Sequence, residues 1–226
     1  MSKKRKKKEE LILDNRKNIK IKERQIKWII IFVIGVILLF IATYWVIKWH
    51  NYSNSYVDYI GVRWYKTGTK EFPSFRGEFN LPKIKNFGLY LKSDPRKNNV
   101  TLNVDNWGFY PKVLISYDSK SQECYGGILA QINLVYFISG GLKLTPGAAM
   151  FNKTEASEKN ITFANCSSAI NKTVILIQKS EVPSVEQDIN NPDCYIINVG
   201  QCESLLATEK FMLGIIATVN NKTLIN

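Results

Sequence analysis

Four cysteines are the residues of this chain best suited to covalent chemistry: Cys124, Cys166, Cys194 and Cys202. Their separations of 42, 28 and 8 residues contain no Cys-x-x-Cys, which argues against a zinc ribbon and against a thioredoxin-type redox motif. An even number of cysteines reads instead as two disulfides on the oxidising side of a membrane. The second recurrent pattern is Asn-x-Ser/Thr, the acceptor for N-glycosylation, at Asn51, Asn99, Asn152, Asn160, Asn165, Asn171 and Asn221. Such sites belong on surface loops of an extracytoplasmic glycoprotein, and the four from Asn152 to Asn171 mark that stretch as a solvated loop.

Other chemistry is thinly represented. The single histidine, His50, removes most Ser-His-Asp, Cys-His and His-rich zinc arrangements. Asp118 and Glu123 could form a carboxylate pair or a weak metal site. Their place at the start of a predicted helix suits capping and the helix dipole better. No dinucleotide-binding glycine pattern, phosphate-binding loop, nucleophile elbow or His-Glu-x-x-His occurs. Trp64 and Trp107 could stack on a sugar or a partner, but packing is the expected role. No catalytic residue, metal site or cofactor is expected.

The elements that must carry these residues begin with a tail. With 226 residues, 45 % hydrophobic and 22 % charged, the chain suits one globular domain plus an attachment, and disorder throughout is excluded. The net charge of +12 suggests nucleic acid at first sight, but twelve basic residues against four acidic ones lie in residues 1–27. Residues 51–226 hold 18 basic and 15 acidic residues, too small an excess to infer an acidic partner. Directly after Lys27 comes an uncharged run of 20 residues, Trp28 to Ile47, which as a helix spans roughly 30 Å, the thickness of a bilayer's hydrocarbon core. Trp28 at one end and Tyr44, Trp45 and Trp49 at the other match interfacial aromatic belts, and Lys48 can snorkel to the headgroups. The run is longer than a cleaved secretory signal and is followed by bulky residues, so a signal-anchor is expected. The basic tail before it places the N-terminus in the cytoplasm and the rest outside or in a lumen. Anionic lipid is then the natural partner of the tail, and nucleic acid is not.

Four segments are expected: a basic cytoplasmic tail at 1–27, a transmembrane helix at 28–49, a stalk or irregular packed segment at 50–83, and an α/β domain at 84–226. Within the last, GLYLK (88–92) and NVTLNV (99–104) suggest a hairpin. KVLISY (112–117), TVILIQ (173–178) and CYIINV (194–199) are short and β-branched, as strands covered on both faces are. YGGILAQINLVYFI has helical length and ends at Gly140-Gly141, a left-handed stop. LKLTPGAAMF is extended, CESLLATEKFMLGIIATV is a second helix, and 180–193 adds a strand that turns back at Asn190-Asn191-Pro192-Asp193. The fold class is α/β: a single transmembrane helix followed by a small three-layer α/β ectodomain, whose mixed, partly parallel sheet has right-handed crossovers.

This order constrains the disulfides. Cys194 opens a strand and Cys202 follows its end, about 17–20 Å away, whereas a disulfide needs Cα atoms within about 7 Å. The expected pairs are therefore Cys124–Cys202, both just past strand ends, and Cys166–Cys194, both just before strands. Two functions are compatible with these residues. One is a non-catalytic membrane-anchored glycoprotein that binds another envelope or membrane protein, or serves as an accessory subunit. The other is a membrane-tethered thiol oxidoreductase using Cys124 and Cys202 at helix starts, where a thiol pKa is lowered.

Overall fold

The structure is a computed structural model that describes residues 27–28, 30–49, 55–69, 71, 73–118, 126–200, 203–222 and 224. The chain divides into two compact units, Met1–Asn54 and Ser55–Asn226. In the first, helix α1 (Ile30–Trp49) has 20 residues at a mean hydropathy of 2.8, long and apolar enough to cross a membrane. Near its end the Lys48 ammonium lies 5.5 Å from the Trp45 ring centre.

The second unit opens with a four-stranded antiparallel meander, β1 (Tyr56–Tyr59), β2 (Val62–Gly68), β3 (Pro73–Leu81) and β4 (Ile84–Leu91), paired in chain order. Of the stretch 50–83, expected as a stalk or irregular packed segment, residues 56–81 thus supply three regular strands of the second unit. Period-two alternation drives it: Val62, Trp64, Phe75, Phe79, Leu81, Phe87, Leu89 and Leu91 are buried, while Arg63, Tyr65, Arg76, Glu78 and Tyr90 between them are exposed. The β1–β2 connection is the two residues Ile60 and Gly61, both at positive φ (51° and 76°), the backbone of a turn whose twist matches its strands. Isoleucine at positive φ is strained; Asn220 Nδ2 holds it by donating to the Ile60 carbonyl at 3.0 Å. A Cβ on Gly77 would stand 2.6 Å from the Trp64 ring, so only glycine lets that indole lie across the middle of β3.

The second sheet runs in the order β5-β10-β11-β9-β6-β7-β8. Its strands are β5 (Thr101–Asn103), β6 (Lys112–Tyr117), β7 (Thr145–Met150), β8 (Thr162–Phe163), β9 (Thr173–Ser180), β10 (Ser184–Gln187) and β11 (Cys194–Gly200). Strands β11, β9, β6, β7 and β8 are parallel, and β10 is antiparallel to β11. The sheet is mixed and partly parallel. The GLYLK and NVTLNV segments do not form a hairpin: they fall in β4 and β5, one in each sheet. The chain crosses between them through a 3-10 turn at Pro95–Lys97.

Helix α2 (Gly127–Tyr136) runs on into a π turn at Phe137–Gly141, α3 (Lys153–Glu158) is short, and α4 (Ser204–Val219) closes the fold. The glycine pair does not stop α2 with a left-handed residue; positive φ falls instead on Lys143, at 57°. Gly141 is needed for contact, because a Cβ there would lie 2.9 Å from Leu81 Cδ1 and 3.1 Å from Phe87. The crossover β6–α2–β7 runs one way along the sheet and the β8–β9 connection, through the 3-10 turn at Cys166–Ser168, runs back, so right-handed connections require opposite faces. They take them: Leu134, Phe137 and Ile138 of α2 pack with Val113, Ile115, Ile175 and Ile177, whereas Ala164 and Ala169 pack with Leu114, Val174 and Cys194.

The main core is continuous from the inner face of the meander, through α2 and α4, to the near face of the mixed sheet. The layers are therefore sheet, helices, sheet, with a thin cover of chain on the far side, rather than one sheet between helices. Helix α4 sits in the middle, with 12 of its 16 residues buried. That placement puts two charged residues inside. Glu209 accepts from the Lys92 backbone N–H (2.5 Å) and from the Ser93 hydroxyl, and Lys210 Nζ donates to the Asn98 carbonyl at 3.2 Å. Burial raises the Glu209 pKa and lowers that of Lys210, since a charge is disfavoured away from water. Both side chains tie the 92–98 crossing to α4.

Candidate binding face

The carboxyl edge of the parallel strands is where an open α/β sheet usually holds a ligand. Here Asp118 follows β6 and its backbone N–H donates to the Ile177 carbonyl at 3.2 Å, which joins the ends of β6 and β9. Glu123, Cys124 and Cys202 lie outside the described residues, as do His50 and Asn51. Any Cys124–Cys202 pair, and with it the thiol oxidoreductase reading, therefore falls outside them too. Cys166 and Cys194 are joined by a disulfide with Cα atoms 5.2 Å apart. It ties the 3-10 turn at Cys166–Ser168 to the first residue of β11. No group of three metal-ligating side chains occurs among the described residues.

Asn99, Asn152, Asn160, Asn171 and Asn221 are exposed, and Asn165 is half-buried. Asn160, Asn171 and Asn221 occupy positive φ, the turn-tip conformation asparagine tolerates. Asn152 caps α3 through its side-chain oxygen, which accepts from the Thr154 and Glu155 N–H groups at 3.0 and 3.3 Å. The Asn165 oxygen accepts from the Ser167 and Ser168 hydroxyls at 2.7 and 3.0 Å. N-glycosylation uses the amide nitrogen, so neither cap competes with it.

Both tryptophans pack inward. Trp64 is fully buried and its Nε1 donates to the Tyr59 carbonyl at 3.3 Å. Trp107 stacks on Tyr195 at 5.3 Å and meets Phe211 edge-on at 5.2 Å. Exposed tyrosines stand instead on the outer face of the meander, as well as at Tyr110 and Tyr136. Strand register places Tyr56 opposite Tyr65, Tyr65 opposite Arg76, and Arg76 opposite Tyr90. These four residues make one row across all four strands, with Tyr65 and Tyr90 49 % and 52 % exposed.

The row is held by its own contacts. Arg63 Nε donates to Asp58 at 3.0 Å, and its guanidinium lies 4.4 Å from the Tyr56 ring centre. Arg76 donates to Glu78 at 2.5 Å and lies 5.7 Å from the Tyr90 ring centre. The Asp58 contact also raises the Arg63 pKa, so the cation is fixed. Beside the row, Thr67 and Ser74 present hydroxyls 2.9 Å apart. The face offers flat rings, fixed donors and fixed acceptors, which is chemistry for binding.

A second surface differs in character. Ile128, Ile132, Val135 and Tyr136 are exposed along α2, beside a cavity of about 270 Å³ lined by Ile115, Tyr117, Gln131, Val135 and residues 146–148 of β7. Among the described residues its polar side chains are those of Tyr117 and Gln131. Comparison of the chain with protein-family models, curated proteins and solved structures finds no match.

Proposed function

We propose that this chain is a single-pass membrane glycoprotein whose extracytoplasmic domain binds another envelope component without catalysing a reaction. The observation that carries the reading is the exposed Tyr56–Tyr65–Arg76–Tyr90 row. Tyrosine and arginine are the residue types that most often anchor interfaces. Orientation is supported by the basic tail before α1 and by the sequons after it.

Protease protection in sealed cells and native affinity capture test the two halves of this reading. External protease is expected to reach residues 55–226 and to spare the tail. Capture with the full chain is expected to return an envelope component that the Tyr65→Ala/Tyr90→Ala variant loses. A protected domain contradicts the orientation, and an unchanged capture contradicts the face.

A further inference from the structure

We propose that the tyrosine–arginine row binds an acidic polysaccharide, with sugar rings stacked on the tyrosines and anionic groups held by the surrounding lysines and arginines. This deepens the preceding reading, since it names the ligand class of the same face.

Three observations favour that class. The first is geometry. Tyr65 and Tyr90 stand two strands apart with Arg76 between them, about 10 Å at ordinary strand spacing. Ring platforms separated by a donor suit a chain of rings joined by polar links. Arg63 and Arg76 are pre-positioned by Asp58 and Glu78. A guanidinium has five N–H donors, more than one carboxylate occupies.

The second is charge. The domain as a whole is close to neutral, but its charge is not evenly spread. Residues 55–92, which build the meander, contain seven basic and three acidic residues, while residues 93–226 contain 11 basic and 12 acidic. The basic excess therefore lies on the sheet that carries the row. Lys92 is exposed at one end of the strands, and Lys83 and Lys85 at the other, whereas Lys66, opposite buried Phe75, belongs to the inner face. None of Lys83, Lys85 and Lys92 is in an ion pair among the described residues. An anionic chain lying on the row would pass between Lys92 and the Lys83–Lys85 pair.

The third is size. The row is one residue wide and roughly 14 Å long, four strands at ordinary spacing. A stable globular partner needs about 800 Å² on each side. Burying the row under an apolar protein surface would also strip water from two ion pairs, which costs more than the pairs return. A linear polar chain leaves their edges wet.

Titration of the full chain in lipid nanodiscs with three probes tests this: a galacturonate hexamer, maltoheptaose and an oligo-dT of matching charge. The galacturonate hexamer is expected to bind most tightly. Its affinity should fall by about tenfold or more in Tyr65→Ala and Tyr90→Ala, and by a similar factor in Lys85→Gln/Lys92→Gln. The lysine variant should also flatten the salt dependence. No binding of the hexamer, equal or tighter binding of oligo-dT or maltoheptaose, or tyrosine variants that bind like the parent would each overturn the ligand class. Chemical-denaturation midpoints on the same samples identify any variant that has lost its fold, and Tyr65→Phe, which retains the ring, should keep the affinity. Footprinting in native envelopes separates the two readings. If Tyr65 and Tyr90 are covered there while the hexamer fails to bind, the face stands and the acidic polysaccharide falls. If they are uncovered, both fall.

Discussion

The two sheets of this domain use their surfaces in opposite ways. In the mixed sheet, β6, β9 and β11 are buried on both faces, by the helices on one side and by the 152–171 chain on the other. Parallel strands require crossovers, and crossovers cover faces. In the meander, tight connections leave the outer face open, and each strand alternates between a core residue and a solvent residue. One sheet is committed to holding the domain together. The other has half its side chains available for contact, and that half carries three tyrosines and two arginines.

The contrast is tested most severely by neighbours in sequence. Trp64→Ala removes a fully buried indole from the inner face and is expected to cost about 3–5 kcal/mol. The change should appear as a lower urea midpoint of the full chain in detergent. Next in size is the cover of the mixed sheet. Cys166→Ser opens a bridge spanning 28 residues and is expected to cost about 3–4 kcal/mol from the loop released in the unfolded chain, again read as a midpoint. A midpoint unmoved by either substitution would contradict the assigned core.

A smaller effect is expected from the buried carboxylate between the sheets. Burial raises the folded-state pKa of Glu209 above its ordinary 4.5. The folded state therefore holds its proton to higher pH than the unfolded chain, and stability falls as pH rises through the window from the ordinary to the raised value. Below that window the stabilising contribution is complete, and above it the cost is constant. Glu209→Gln should remove this slope from the pH dependence of the midpoint. Lys210 has the opposite sign of shift: its lowered folded pKa makes stability rise with pH through the window from that value up to 10.5. The smallest effect belongs to the outer face. Tyr65→Ala should move the midpoint by no more than about 0.5 kcal/mol, while the same change at Trp64, one residue away, cripples the domain.

The sequence announced the mixed sheet more clearly than the meander, for reasons that follow from burial. KVLISY, TVILIQ and CYIINV are apolar throughout because both of their faces are covered, so they stand out as runs. The strands VRWYKTG and PSFRGEFNL also alternate, but the outward positions of the meander include Tyr56, Tyr65 and Tyr90, and one inward position is Gly77. Apolar and polar residues therefore do not sort by face, and the segment reads as irregular. The burial of Trp64 and the exposure of Tyr65 become distinguishable only once strand direction is known. The separation of GLYLK from NVTLNV depends on Asn98, whose amide donates to the Leu206 carbonyl at 2.8 Å and whose carbonyl accepts from Lys210. Partners more than a hundred residues away leave no local mark. The position of α4 between two sheets was likewise hidden, although its nearly unbroken apolar character, interrupted by Glu209 and Lys210, is what full burial requires.

The claim that the outer face of the meander is the working surface is tested most directly by hydroxyl-radical footprinting of tyrosines in native membranes and in the purified chain. Tyr65 and Tyr90 compare naturally with Tyr136, which is 50 % exposed on α2. If the face is occupied in its native setting, Tyr65 and Tyr90 lose reactivity there relative to the purified protein while Tyr136 does not. Protection of Tyr136 alone, or equal reactivity of Tyr65 and Tyr90 in both settings, would contradict it.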